Sequence, residues 1–206
     1  MRQLRPALLL TLFFVVLTGL VFPGVIWAIG QAAFPAEAGG SLVKDARGRV
    51  VGSALLGQAF TRPEYFHPRP SAAGAGYDAA SSGGSNLGPT SDKLVHGIED
   101  DPATADVDET FRGFGDLAKA YREENGLAPD AVIPADAATR SASGLDPDIS
   151  PANAELQVER VARARGLGAR RVRELVARRT RERTLGFLGE PRVNVLELNL
   201  ALDDLR

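Results

Sequence analysis

Residues 8–29 read LLLTLFFVVLTGLVFPGVIWAI, and this stretch decides the architecture of the chain. Its polarity is broken only by Thr11, Thr18 and a few small or turn residues. Arg5 is the last charge before it and Glu37 the first after it. Wound as a helix at 1.5 Å per residue, it is about 33 Å long, against a hydrocarbon core about 30 Å thick. One passage through a membrane is the expected result. Ala28-Ile29-Gly30 resembles a signal-peptidase site, but the apolar run is longer than the core of a secretory signal, so we read an uncleaved anchor. Trp27 falls near the far end, where an amphipathic ring suits the interface.

The flanking charges set the orientation. Arg2 and Arg5 precede the span, and no base follows it before Lys44. The positive-inside rule then places residues 1–6 in the cytoplasm. Residues 7–30 cross the membrane, 31–41 form a linker, and 42–206 form one extracytoplasmic domain, periplasmic in a bacterium. Pro23 and Gly24 lie inside the span, where a neighbouring helix can satisfy the freed backbone groups. Gly24 and Ala28 are spaced so that another helix can approach closely. Pro23, Gly24 and Ala28 are therefore the candidate partner-helix face.

Outside the span the pattern is α+β. Leu42-Val43 and Val50-Val51 flank a Gly48-containing turn as a hairpin, with strand-like sequence running on to Gly57. Pro63, Pro68 and Pro70 forbid regular structure, and 71–90 is a long loop of small residues. Thr90 or Ser91 caps a following helix. A helix is expected over 110–124, stopped at Asn125-Gly126. Ser150-Pro151 opens another that ends at Gly166, and a further helix is expected over 169–183 with Val172, Leu175 and Val176 inward. Leu196, Leu198, Leu200 and Leu202 alternate, which predicts a half-buried strand over 193–202.

Composition excludes several classes. The 206 residues carry 24 Lys+Arg and 26 Asp+Glu, so the chain is no polycation that coats nucleic acid. It has no cysteine, which excludes disulfides, thiolate metal sites and cysteine nucleophiles. Gly83 and Gly88 have the spacing of a phosphate loop, but Pro89 stands where the lysine is needed. His67 and His96 are the only histidines and lack companion ligands at metal-site spacing, so a surface or structural role is expected. Residues 99–159 hold 15 acids and four bases, and 160–192 hold 11 bases and three acids. The expected use of these arginines is pairing with the chain's own acidic segment, the alternative being docking onto an acidic partner; the anchor argues against reading the two helices at Gly166 as a DNA reader.

Five stretches in order carry a resemblance. They are the span with Pro23-Gly24; Tyr65-Phe66-His67-Pro68-Arg69-Pro70-Ser71-Ala72; Ser82-Gly83-Gly84-Ser85-Asn86-Leu87-Gly88-Pro89-Thr90; Ser141 to Ala152, including Ser143-Gly144-Leu145-Asp146-Pro147; and Thr184 to Leu196. Together they resemble the C subunit (KdpC family) of the bacterial Kdp high-affinity potassium-transporting P-type ATPase, over nearly the whole chain. The acidic run at 99–114 departs from the family pattern. The resemblance implies a non-catalytic subunit that promotes ATP use by a hydrolysing partner, a catalytic chaperone, with one span and a domain near the ion entrance on the inner membrane. Its implied partners are a channel-like potassium-binding subunit, a P-type ATPase subunit, a small single-span subunit and membrane lipid, with no nucleic acid. ATP, magnesium and potassium are then handled by the complex, with no cofactor, metal or catalytic residue in this chain. Candidate partner-contact loops are Ser82, Gly83, Gly84, Ser85 and Asn86, and Ser143, Gly144, Leu145, Asp146 and Pro147. ATP is cytoplasmic and these loops are expected outside, so an effect through assembly is favoured over direct ATP contact. The alternatives are an independent membrane-anchored periplasmic binding module using the 71–90 loop, and an anchored hydrolase using Ser85 or Thr90.

Overall fold

In a computed structural model, which describes residues 3–99 and 110–205, the apolar stretch is one long rod. Helix α1 (Leu4–Val16) passes through a π-helical turn, Leu17–Val21, into α2 (Phe22–Ala33). The π turn ends two residues before Pro23, which has no N–H and whose ring crowds the preceding turn. Widening that turn keeps the rod continuous where a proline would otherwise break it. No side chain of the rod is buried, so it offers its apolar surface to lipid or to other protein. The short α3 (Pro35–Ala38) follows. Ser53 Oγ donates to Gly40 O (2.8 Å) and Ala54 N to Ser41 O (2.9 Å), tying the next segment to this exit.

Strands β1 (Leu42–Lys44) and β2 (Val50–Ser53) form the expected antiparallel hairpin. Gly48 at φ 77° closes its turn, and Asp45 accepts the N–H groups of Arg47 and Arg49. The strand ends at Ser53, short of Gly57, because Ser53 Oγ accepts from Leu55 N and turns the chain. Residues 54–91 contain only the single turn of 3-10 helix at Ala79–Ser81.

Helix α4 (Asp92–His96) starts after Ser91, whose hydroxyl makes no cap bond. Helix α5 (Phe114–Asn125) starts later than residue 110. Ile98 and Phe111 pair as a β-bridge, and Gly113 is extended with its N–H on Asp116 Oδ2, so the chain before Phe114 is drawn out. Gly126 ends α5 in the left-handed conformation, as Asn-Gly predicts. Most of the acidic run at 99–109 lies outside the described residues.

Helix α6 (Pro151–Arg165) begins and ends as its sequence specifies: Ser150 Oγ accepts from Asn153 N, and Gly166 is left-handed. Helix α7 (Ala169–Arg179) buries Val172, Leu175 and Val176 as expected, but stops at Arg179. Thr180 Oγ1 bonds Val176 O, and Thr180–Arg181 becomes strand β4. Strand β5 (Arg192–Asn194) lies between β4 and β3 (Asp148–Ile149), antiparallel to both.

The predicted C-terminal strand is corrected: only Arg192–Asn194 is extended, and Val195–Asp203 is helix α8. Asn194 Oδ1 accepts from Glu197 N and caps the helix. The alternating leucines suit both periods, because Val195, Leu196, Leu198, Asn199, Ala201 and Leu202 are all buried and the helix is apolar nearly all round. Leu198 and Leu202 join Phe66, Ile149, Val158, Val161, Val172 and Val193 in one core between α6, α7, α8 and the three-stranded sheet. The fold is mixed helix and sheet after one apolar helix.

Candidate functional site

The irregular stretch 63–67 has to satisfy its backbone polar groups without a ladder, and buried side chains do this. Asn199, 2% exposed, accepts from Phe66 N (2.8 Å) and donates to Phe66 O (2.9 Å). Gln157, 1% exposed, accepts from His67 N (2.7 Å) and donates to His67 O (3.0 Å). Arg160 Nη1 donates to Pro63 O and Tyr65 O, Nε to Asn125 Oδ1, and Nη2 to Gln157 Oε1. The Tyr121 hydroxyl donates to Asn153, its phenol pushed well above the ordinary range chiefly by burial. Asn153 in turn bonds Gln157 and Asp136. This amide network fixes the segment on α5, α6 and α8.

His67 ties the segment to α5. Nδ1 meets Glu124 Oε1 at 2.5 Å and Nε2 meets Arg62 O at 2.9 Å. Burial pushes the Glu124 carboxyl up, but the His67 hydrogen bond and the His67 and Arg160 charges outweigh it and hold it below the ordinary range. The pair lies in a cleft of about 470 Å³, also lined by Arg69, Tyr77, Arg112 and Tyr121.

From this base the chain runs into the two loops singled out in the sequence, and the structure brings them together. Gly83 N donates to Ser143 O (2.9 Å), and Ser82 Oγ donates to the same oxygen (2.9 Å). Ser71 Oγ donates to Gly144 O (2.6 Å) while accepting from Ala73 N and Tyr77 N. Gly57 N donates to Leu145 O (2.8 Å). The contact is too close for side chains: a Cβ at Gly144, whose φ is 68°, would lie 2.6 Å from Gly83 O. One at Gly84 would lie 2.9 Å from Ala142 O. Arg69 locks the junction, with Nη1 on Asp146 Oδ2 (2.8 Å) and Nη2 on Thr139 Oγ1 (3.3 Å). The Tyr77 hydroxyl donates to Arg69 O (2.6 Å). Pro147 O accepts Val195 N and joins the pair to the start of α8.

Within the loop pair Gly144 and Leu145 are buried, whereas Ser82, Asn86 and Ser143 are exposed; Ser85, Asp146 and Pro147 are half-buried. Pro23, Gly24 and Ala28 lie far along the chain on exposed α2, and nothing stands within 4 Å of a Cβ placed on Gly24. Reading the sequence missed the amide network; its one visible signal was Asn153, Gln157 and Asn199 at otherwise apolar helix positions.

Among the described residues six of the eleven arginines of 160–192 form ion pairs, but only Arg173 and Arg192 reach the acidic stretch 99–159, and Arg163, Arg171, Arg178 and Arg179 form none. Arg173 bridges Glu155 and Glu159 at 2.5 and 2.7 Å, and Arg192 meets Asp148 at 3.1 Å. Arg181 meets Glu197, Arg165 meets Asp203 and Arg183 meets Glu190. Among the described residues no group of three His, Asp or Glu side chains is placed to hold a metal ion.

One apolar helix long enough to cross a membrane, a mixed helix-and-sheet domain and two loops docked backbone to backbone are the features of a candidate membrane-anchored protein. Comparison with known proteins makes this specific. The family model described as "K+-transporting ATPase, c chain" matches residues 4–204, and the chain belongs to this KdpC family. It is 52% identical over 203 residues to the potassium-transporting ATPase KdpC subunit of Caulobacter sp. strain K31, covering 98% of this chain and 94% of that one. The subunit of the same name from Gemmatimonas aurantiaca is 54% identical over 206 residues, covering 100% and 94%. That from Mycobacterium tuberculosis is 50% identical over 204 residues, covering 99% of both.

Proposed function

We propose that the chain is a non-catalytic subunit of an ATP-driven high-affinity potassium uptake complex, assembling and stabilising it and promoting ATP use by the hydrolysing subunit. The family match through both the apolar helix and the domain, residues 4–204, carries this reading. In it the rod sits in the bacterial inner membrane with Arg5 toward the cytoplasm, and residues 42–206 lie outside. Pro23, Gly24 and Ala28 face a partner helix, and the exposed rim of the 82–86 and 143–147 loop pair faces a partner subunit. The partners are the channel-like potassium-binding subunit, the P-type subunit and a small single-span subunit. ATP and magnesium stay with the hydrolysing subunit and potassium with the channel-like one. A domain outside the membrane acts on cytoplasmic ATP use only by binding two partner states unequally. The test is isolation of the tagged full chain from native membranes of potassium-starved cells in mild detergent. Recovery of a channel-like subunit and a P-type ATPase supports the reading. A lone, folded monomer overturns it.

A further inference from the structure

The rod is joined to the β1–β2 hairpin by hydrogen bonds and not by slack chain. Phe34 N donates to Gly30 O (2.8 Å), Ala38 N to Phe34 O (2.8 Å) and Ser41 N to Ala36 O (2.9 Å). Helix α3 doubles back beside the rod, so that a Cβ on Gly30 would lie 3.8 Å from Ala38 Cβ. Gly40 and Ser41 are left-handed, at φ 93° and 50°, and turn the chain into β1. Ser53 Oγ and Ala54 N then bond Gly40 O and Ser41 O, and Leu55 N bonds Ser53 Oγ (3.1 Å). Leu42 follows Ala38 by four residues, a reach of at most about 14 Å. The base of the hairpin is therefore fixed close to the end of the rod.

The rod has 30 residues and is about 45 Å long, against about 40–45 Å for the hydrocarbon and both headgroup layers. With Trp27 at the interface, Gly30 lies about 4.5 Å further out. Helix α3 and the hairpin base then fall at headgroup level.

The outer side of this hairpin is apolar. Leu42, Val50, Leu55 and Leu56 are 55%, 53%, 63% and 41% exposed, and Phe34 is 58% exposed. Leu42 and Lys44 alternate onto one side of β1, with Val50 opposite Lys44 in the ladder. The other side meets α8: a Cβ on Gly52 would lie 2.8 Å from Leu196 Cδ2, and Asn194 Nδ2 donates to Ala54 O (3.0 Å). Among the described residues Lys44 and Arg47 form no ion pair, whereas Asp45 is taken by Arg49 (2.7 Å). Glu37 is the one unpaired acid of this turn. Apolar side chains edged by free cations suit a bilayer interface, since Lys and Arg lay their stems on apolar surface and hold their charges at the headgroups. Exposed apolar side chains also gather at Leu185, Phe187 and Leu188, but the backbone bonds there are local, Thr184 with Leu188 and Gly186 with Arg183, and do not tie that tip to the rod.

We propose that Leu42, Val50 and Leu55, with Phe34, rest in the headgroup–acyl boundary of the leaflet that the rod exits, and that Lys44 and Arg47 meet its phosphates. This rests on the membrane-anchor reading above. It adds that the domain itself touches lipid, which fixes its tilt over the bilayer.

The experiment places a photoreactive benzoylphenylalanine at position 55, 132 or 13 of the full chain in native membranes, and identifies the adducts by mass after irradiation. Leu55 and Val132 are 63% and 92% exposed, so neither replacement disturbs the core. Position 55 is expected to give phospholipid adducts, as position 13 within the rod does, and position 132 none. Protein adducts alone from 55 overturn the proposal in favour of a partner subunit on this face. No adduct from 55, with lipid adducts from 13, leaves the face in water and overturns the proposal while the anchor stands. Release of the chain from membranes by alkaline carbonate removes the anchor reading and the hairpin contact with it.

Discussion

Asn199→Ala tests whether buried amides hold the irregular segment in place. Asn199 supplies both partners of Phe66, accepting its N–H at 2.8 Å and donating to its carbonyl at 2.9 Å, and Phe66 is fully buried. Alanine leaves both backbone groups without partners and without water. Each stranded group costs about 1–3 kcal/mol, so the pair costs about 3–4 kcal/mol at the middle of that range. For a domain of this size 1 kcal/mol shifts the melting temperature by about 2–4 °C, giving a fall of about 10 °C. Urea unfolding of the full chain in detergent, followed by circular dichroism, measures the free energy directly. Because Phe66 lies three residues before Arg69, the same change should loosen the Arg69–Asp146 lock. Exchange of the Gly83 amide, which bonds Ser143 O, should therefore accelerate. A loss below about 1 kcal/mol would refute the reasoning and show that burial of the Phe66 ring alone suffices.

Further expectations concern the loop pair, the pH response and the rod. Gly144→Ala forces a Cβ against Gly83 O at a left-handed φ of 68°, and should cost about 2 kcal/mol or more with faster exchange at Gly83. Gly57→Ala, whose Cβ would lie 2.5 Å from Asp146 O, should act in the same direction in the same exchange experiment. Glu124 is held below the ordinary carboxylate range, so its stabilising effect is complete above the unfolded-state value of about 4.3 and is lost as pH falls through the folded one. In denaturant titrations between pH 6 and pH 3, Glu124→Gln should flatten the acid loss by under about 1 kcal/mol, since the group is partly exposed. Gly24→Leu should leave membrane insertion intact and reduce partner recovery in the tagged isolation.

Local chemistry explains what was legible in the sequence. The Ser150 cap, Pro151, the Gly126 and Gly166 stops and the Gly48 turn each depend on neighbours within a few residues, and all appear as read. Long-range choices were not legible. Leu196 to Leu202 fits either period, and only Asn194, through its bond to Glu197 N, separates the short strand from helix α8. Thr180–Arg181 leaves the helical pattern because β5 pairs with it. The 82–86 and 141–147 loops looked like independent surfaces, since nothing local in either stretch announces a contact across some sixty residues. Their glycines were visible, but the reason for them, backbone against backbone with no room for a Cβ, is a property of the docked pair. The polar residues at core positions were the readable trace of an irregular segment buried beneath them.

The central claim is that the chain is a working subunit of a potassium-transporting ATPase, and the most direct measurement is potassium-stimulated ATP hydrolysis with and without it. Membranes from potassium-starved cells lacking the chain are compared with the same membranes after the full chain is restored, across a range of ATP concentrations. The account predicts that stimulation returns with the chain, with half-saturation at lower ATP than any residual activity shows. Equal potassium-stimulated hydrolysis at every ATP concentration in both membranes would contradict it.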